Sequence, residues 1–317
     1  MMEQHFSDNT KSVNINGNRE SKLKIWYRQL RPHTLTASFI PVFIGTALAL
    51  FYTPLDWLLL LAMLLASILI QAATNLFNEY YDFKRGLDTS ESVGIGGGIV
   101  RDGISPKTVL RVGLIFFMLA ILLGAYISAM TTWWIAVIGS LCMAAGYFYT
   151  GGPYPIAYTP LGEVVAGFFM GFVIILISFY IQTDFITVNS MLISIPISIL
   201  IGAILMANNI RDLEGDKEKG RKTLAILLGH KNAVRFLGGM FAFSIAWILT
   251  MIVVGKASFW LLLVLLSVPK AVEAVKRFQG ERKPTSMMPA MKATAEMHTV
   301  FGFALTVGLL ISYLIQF

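Results

Sequence analysis

The chain has 317 residues, of which 56% are apolar and only 14% charged, with a mean hydropathy of +0.69. Soluble domains carry about 25% charged residues, so a water-soluble globule is excluded for want of polar surface. The net charge of +7 suggests nucleic acid only if the cations form a binding face, and their distribution along the chain gives them a different meaning.

Residues 1–20 are polar, rich in Asn, Ser and charge, and lack the apolar core of a signal peptide. They read as a disordered cytoplasmic tail, and residues 21–317 as a single membrane domain. Apolar runs long enough to cross hydrocarbon follow at Thr34–Tyr52, Trp57–Tyr80, Thr108–Ala129, Thr132–Tyr149 and Leu161–Ile181. Four more lie at Ser190–Ile210, Ala233–Val254, Phe259–Val275 and Ala295–Gln316. The expected fold is therefore all-α, a polytopic membrane protein of nine transmembrane helices.

The connectors alternate between short ones and longer ones that hold Gly, Pro or dense charge. Of the 25 Lys and Arg residues, Lys256 alone falls in a short connector. The excess of Lys and Arg marks the cytoplasmic side, so with nine spans the amino terminus is expected inside and the carboxyl terminus outside. The positive charge is then an orientation signal, and no nucleic-acid partner is expected. Cys142, the single cysteine, sits in an apolar run and excludes an intramolecular disulfide.

Two acidic boxes stand at cytoplasmic helix ends. In the first, residues 75–88, Asn75, Asn78, Glu79 and Asp82 are spaced i, i+3, i+4 and i+7 on one helix face, and Asp88 follows Gly86, where the helix ends. In the second, residues 208–216, Asn208, Asp212 and Asp216 form a stripe at i, i+4 and i+8. Arg211 lies within that box, and Lys217, Lys219, Arg221 and Lys222 follow it. The boxes recur about 130 residues apart, which fits two four-helix units plus a ninth helix.

Carboxylate and amide oxygens suit hard cations, and Mg²⁺ commonly binds through a few carboxylates plus substrate phosphates. Carboxylates alone repel a diphosphate; metal ions between them, with Arg and Lys beside them, reverse that sign. Polar groups at the ends of apolar helices are costly unless they pair or face a wet cavity. Gly94, Gly96, Gly97 and Gly98 lack the Lys-Ser/Thr of a phosphate-binding P-loop and read as a flexible cover. Tyr147, Tyr149, Tyr154 and Tyr158 frame a Gly-Pro-rich connector, either as an interfacial belt or as ring faces for a cation. Glu163, Glu296 and His298 read at least as readily as structural hydrogen-bonding groups. A cation transporter is the alternative of a different class, but it would carry its acids near the bilayer midplane.

These residues resemble the UbiA-type superfamily of intramembrane aromatic prenyltransferases. Its Asn-Asp-x-x-Asp motif is similar to Asn78, Glu79 and Asp82, and its Asp-x-x-x-Asp motif to Asp212 and Asp216. Arg31-Pro-His-Thr, Gly98-Ile-Val-Arg101, Tyr149-Thr-Gly-Gly-Pro153, the run from Asn208 to Gly229 and Lys292-Ala-Thr-Ala extend the likeness over nearly the whole chain after the tail. They look closest to the branch that uses 1,4-dihydroxy-2-naphthoate. Two departures stand out: Glu79 replaces the usual Asp, and Tyr158 stands where hydroxybenzoate-type relatives carry Lys.

The resemblance implies two four-helix units and one further helix around a central cavity in a bacterial plasma membrane. It implies transfer of a polyprenyl group from polyprenyl diphosphate to 1,4-dihydroxy-2-naphthoate, or to another aromatic acceptor. Asn78, Glu79, Asp82, Asp88, Asp212 and Asp216 are the implied Mg²⁺ ligands, with Asn78, Asp82, Asp212 and Asp216 as the catalytic set. Asn75, Lys84, Arg101, Tyr149, Tyr154, Asn208, Arg211, Arg221 and Lys222 are implied to bind substrate, with Lys292 and His298 as candidates for the acceptor carboxylate.

Overall fold

A computed structural model describes residues 21–88 and 97–316, and every regular element in it is helical. The tail at 1–20 and the glycines Gly94 and Gly96 lie outside the described residues. The first helices are α1 (Lys22–Gln29), α2 (Pro32–Ala49), α3 (Trp57–Lys84), α4 (Pro106–Met130) and α5 (Trp134–Thr150). Next, α6 (Gly162–Ala166) and α7 (Ile174–Thr183) are joined by a π-helical turn, Gly167–Val173. They are followed by α8 (Val188–Arg211), α9 (Leu213–Glu218) and α10 (Leu224–Val253). A 3₁₀ segment, Phe259–Ser267, leads into α11 (Val268–Phe278), and α12 (Pro284–Gln316) closes the chain.

Each of the nine apolar runs is helical, but the expected count of nine spans is not reached. Among the described residues, six helices are long and apolar enough to cross a membrane, or seven if the bent pair α1–α2 counts as one span. Two runs fall short for local reasons. The run on α5 forms only the 17 residues Trp134–Thr150 before the Gly151-Gly152-Pro153 connector. The run after Ser258 is divided: its first nine residues wind as 3₁₀ helix, and α11 starts with Pro269 in its first turn, where a missing N–H costs no bond.

Tight helix pairs surround the centre. A Cβ on Gly45 of α2 would lie 2.4 Å from the Ile175 carbonyl oxygen, and one on Gly171 would lie 2.4 Å from Ser198 Cα. Only glycine permits these contacts of α2 with α7 and of the π turn with α8. A large core joins α2, α7, α8, α10, α11 and α12 through residues such as Ile44, Phe179, Leu200, Leu237, Phe278 and Phe301. A second core holds α2, α3, α5 and α7 together through Val42, Leu59, Ile135 and Ile177. Exposed Leu, Ile, Phe and Trp side chains cover the outside, among them Leu122, Trp134, Val188 and Leu314, as lipid-facing surface requires.

Candidate active site

Both acidic boxes end in the same backbone device. At the end of α3, Arg85 is the C-cap and Gly86 follows with φ +68°. The Leu87 N–H bonds the Asp82 carbonyl at 2.9 Å, and the Gly86 N–H bonds that of Phe83 at 3.0 Å. At the end of α9, Lys219 is the C-cap and Gly220 follows with φ +79°. There the Arg221 N–H bonds the Asp216 carbonyl at 3.0 Å, and the Gly220 N–H bonds that of Lys217 at 3.1 Å. This is the Schellman pattern, in which a left-handed glycine turns the chain back over the last turn. Asp82 and Asp216 thus occupy equivalent positions, and the residue after each glycine is folded back over its aspartate.

The second box is interrupted at Asp212, which ends α8 and starts α9 with φ −92° and ψ 5°. The helical bonding continues through it: Asp212 N–H reaches the Asn208 carbonyl at 3.0 Å, and Asp216 N–H reaches that of Asp212 at 2.8 Å. The expected stripe survives the break.

Arg221 joins the two boxes. Its guanidinium lies 3.2 Å from Asp82 Oδ1 and 3.1 Å from Asp216 Oδ1. It rests on the Tyr158 ring, 4.7 Å from the centroid. Lys222 fixes that ring's backbone, donating its N–H to the Tyr158 carbonyl at 2.9 Å, while Lys219 Nζ bonds the Leu87 carbonyl. Burial works against the Arg221 charge, but Asp216 and Asp82 outweigh it and hold the guanidinium above its ordinary range. Burial pushes the Asp216 and Asp88 carboxyls upward; Arg221 opposes this at Asp216, and at Asp88 the neighbouring Glu79 adds to it.

Other expected residues serve different partners. Glu79, 1% exposed, accepts from Gly97 N–H at 2.8 Å and Ile99 N–H at 3.3 Å. Arg31, in the left-handed region at φ 50°, lies 3.6 Å from it. Glu79 therefore anchors the loop after residue 96 to α3. Asn78 accepts from the Thr150 hydroxyl at 2.6 Å, and the Asn75 amide donates to the Leu30 carbonyl and the Thr34 hydroxyl at 2.9 and 3.0 Å. Arg211 pairs with its neighbour Asp212 at 2.5 Å and reaches the Met291 sulfur at 3.0 Å. Arg101 is exposed and lies over Gly97, where a Cβ would be 2.2 Å from its Nε. Lys84 is exposed, 6.0 Å from the Tyr80 ring, and Tyr154 is 90% exposed; neither joins the cluster around Arg221. Lys292 is exposed, 3.7 Å from Glu296, whereas His298 is fully buried.

A cavity of about 320 Å³ lies beneath the boxes. It follows one face of α3 from Met63 to Asn78, about 22 Å at 1.5 Å per residue. Arg31, Asn75, Asn78, Tyr149 and Asn208 line its polar end, whereas Ile127 and Trp133 line it at the far, apolar end. Asp82 continues the same α3 face one turn above Asn78. An anionic head and an apolar tail fit such a gradient.

Among the described residues, no group of three or more His, Cys, Asp or Glu stands together as a preformed cation site. The donors are nevertheless of the kind Mg²⁺ takes: carboxylate and amide oxygens, with Asp216 Oδ2 buried and without a hydrogen-bond partner. Sequence reasoning assigned no role to Arg31, Thr150 or Lys219. Arg31 and Thr150 lie in quoted motifs, and Lys219 in the basic run, but only tertiary structure gives them partners.

The chain matches the model of the UbiA prenyltransferase family over residues 38–294. It is 60% identical to the 1,4-dihydroxy-2-naphthoate octaprenyltransferase of Bacillus subtilis (strain 168), covering 93% of this chain and 95% of that one. It is 28% identical to the Escherichia coli (strain K12) protein of the same name, over 92% and 97%. Among solved structures, a UbiA homolog from Archaeoglobus fulgidus bound to GPP and Mg²⁺ superposes with a TM-score of 0.64 at 17% identity, covering 89% of this chain and 99% of that one. With its helical fold, its paired acidic boxes and a family match spanning most of its length, the chain belongs to the UbiA prenyltransferase family.

Proposed function

We propose that this chain transfers a polyprenyl group from polyprenyl diphosphate to 1,4-dihydroxy-2-naphthoate, releasing diphosphate and carbon dioxide and leaving demethylmenaquinol. The observation that carries the reading is geometric: Asp82 and Asp216, from separate boxes, share Arg221 above an apolar cavity. The name of the Bacillus relative, at 60% identity, supports the acceptor and the reaction.

Asp82, Asp212 and Asp216, with the Asn78 amide, are the residues that would hold Mg²⁺. When bound, the ion would supply positive charge that neutralises the diphosphate and favours allylic C1–O cleavage. Arg221 and Lys219, already turned toward the first box, are placed to grip the leaving diphosphate. The apolar lining keeps water from the allylic cation. Tyr149, at the polar end of the cavity, supplies a ring face and hydroxyl for the cation or the acceptor. The naphthoate ring carbon attacks C1, and the bond to its carboxylate breaks to give carbon dioxide. The electron pair of that bond restores the aromatic ring.

The same reading takes all nine apolar runs as spans, with α5 and the 3₁₀–α11 pair as short or broken ones. The distribution of Lys and Arg then puts the amino terminus and both boxes on the cytoplasmic side of a bacterial plasma membrane. The test is mass spectrometry of products from the purified protein, a polyprenyl diphosphate and candidate aromatic acids. Demethylmenaquinol formed with Mg²⁺ and lost in chelator is the expected result. Full turnover in chelator, or no product from the naphthoate, would overturn the reading.

A further inference from the structure

The guanidinium of Arg221 occupies the position between Asp82 and Asp216 that a bridging cation needs. Three observations show that this placement is built into the fold. The Schellman turn at Gly220 folds the Arg221 backbone over Asp216, with its N–H on that residue's carbonyl at 3.0 Å. The Tyr158 ring supports the guanidinium from one face at 4.7 Å, and that ring is tied to the same loop through the Lys222 N–H at 2.9 Å. The two carboxylates take the guanidinium at nearly equal distances, 3.2 and 3.1 Å.

We propose that Arg221 couples metal binding to diphosphate binding by exchanging one anion for the other. It keeps two like-charged boxes together until it is given another anion. A divalent cation arriving alone must displace a mostly buried, doubly paired guanidinium, which would leave Arg221 without its partners. A diphosphate offers Arg221 oxygens of the same charge within reach of the same turn, so Asp82 and Asp216 are released to the cation as the diphosphate enters. Metal and diphosphate therefore bind as a unit, and each raises the affinity of the other by the same factor. Arg221 moves from carboxylate to phosphate without becoming unpaired.

This inference rests on the proposed function, and its test needs no acceptor and no turnover. Mg²⁺ is titrated calorimetrically into the full chain in detergent, with and without inorganic diphosphate, for the wild type, Arg221→Gln and Arg221→Lys. In the wild type, diphosphate should tighten Mg²⁺ at least tenfold. In Arg221→Gln, Mg²⁺ alone should bind at least about tenfold more tightly than in the wild type, and the enhancement by diphosphate should collapse toward onefold. Arg221→Lys should retain most of the coupling. Thermal melts without metal check folding, and Arg221→Gln should melt lower and gain more from Mg²⁺ than the wild type. Unchanged or weaker binding of Mg²⁺ alone to Arg221→Gln would overturn the proposal, as would equal coupling in all three proteins. A wild type that couples as expected but forms no prenylated naphthoate would instead remove the proposed reaction and leave this inference standing.

Discussion

The two acidic boxes stop their helices identically and use their remaining acids differently. Asp82 and Asp216 hold the same place before a left-handed glycine, and both face Arg221. In the first box, Glu79 is spent on the Gly97 and Ile99 amides and Arg31. In the second, Asp212 is partly exposed and, among the described residues, pairs with the adjacent Arg211 alone. In each box one acid faces Arg221; the first box adds an acid tied to a loop, the second an acid left partly exposed. Spacing on a helix face identifies which acids can act together, but the partners of each acid decide which of them remain available for a ligand.

The largest effects should come from the equivalent pair. Asp82→Ala and Asp216→Ala should each lower turnover by about 10²–10³-fold or more, the scale seen when a preorganised electrostatic group is removed. Prenyl transfer assayed on normally inserted protein checks this, and near wild-type activity in either variant would break the equivalence. Glu79→Gln sharpens the contrast. It keeps the size of the side chain but loses the charge that faces Arg31 and two backbone donors. About 1–3 kcal/mol of stability should be lost, read as a lower melting temperature, with a smaller loss of turnover than in Asp82→Ala. An activity loss as large as that of Asp82→Ala, with no change in melting, would make Glu79 a ligand-binding acid instead.

Much of this arrangement was legible in the chain. The i, i+3, i+4, i+7 spacing of Asn75 to Asp82 gave the first face, and Gly86 marked its end. The recurrence of the boxes gave the pairing. Less legible were the lengths of the helices around them. Apolar runs specify burial, but Gly151, Gly152 and Pro153 cut α5 short, and Pro269 sits where 3₁₀ helix changes to α-helix. The sequence reading put Tyr154, and not Tyr158, among the substrate-binding residues. Both flank the same connector, but the first is 90% exposed and the second stacks on Arg221. They stand four positions apart, and only the path of the connector sets their surroundings. Glu79 illustrates the same point, since a motif cannot distinguish a carboxylate aimed at a cation from one that anchors a loop.

The glycines offer a smaller test. Neither Gly86 nor Gly220 has any atom within 4 Å of an added Cβ, so a substitution would meet backbone strain alone. Gly86→Ala and Gly220→Ala should each cost about 1–2 kcal/mol, the penalty for an L-residue in the left-handed region. The stability losses should be similar in thermal melts. Only Gly220→Ala should also weaken coupling between Mg²⁺ and diphosphate, because that turn aims Arg221. Equal coupling in the two variants would show that the turn positions nothing beyond the backbone.

The smallest effect expected is on pH dependence. Burial raises the Asp88 and Asp216 carboxyls above the ordinary Asp value of 3.8. A carboxyl raised in this way binds its proton more readily in the folded protein than in the unfolded one. Without metal, the protein therefore loses stability from these groups as pH climbs from the ordinary Asp value through the raised one. Metal binding has the opposite sign, because Mg²⁺ must displace those protons. The Mg²⁺ concentration for half-maximal activity should rise a few-fold as pH falls, starting above the range of an exposed Asp. Since Arg221 pulls the Asp216 value down, Arg221→Gln should move that rise to still higher pH. Half-saturation by Mg²⁺ measured across a pH series in both proteins checks the direction, and a shift to lower pH in Arg221→Gln would mean that the guanidinium does not set the charge of the second box.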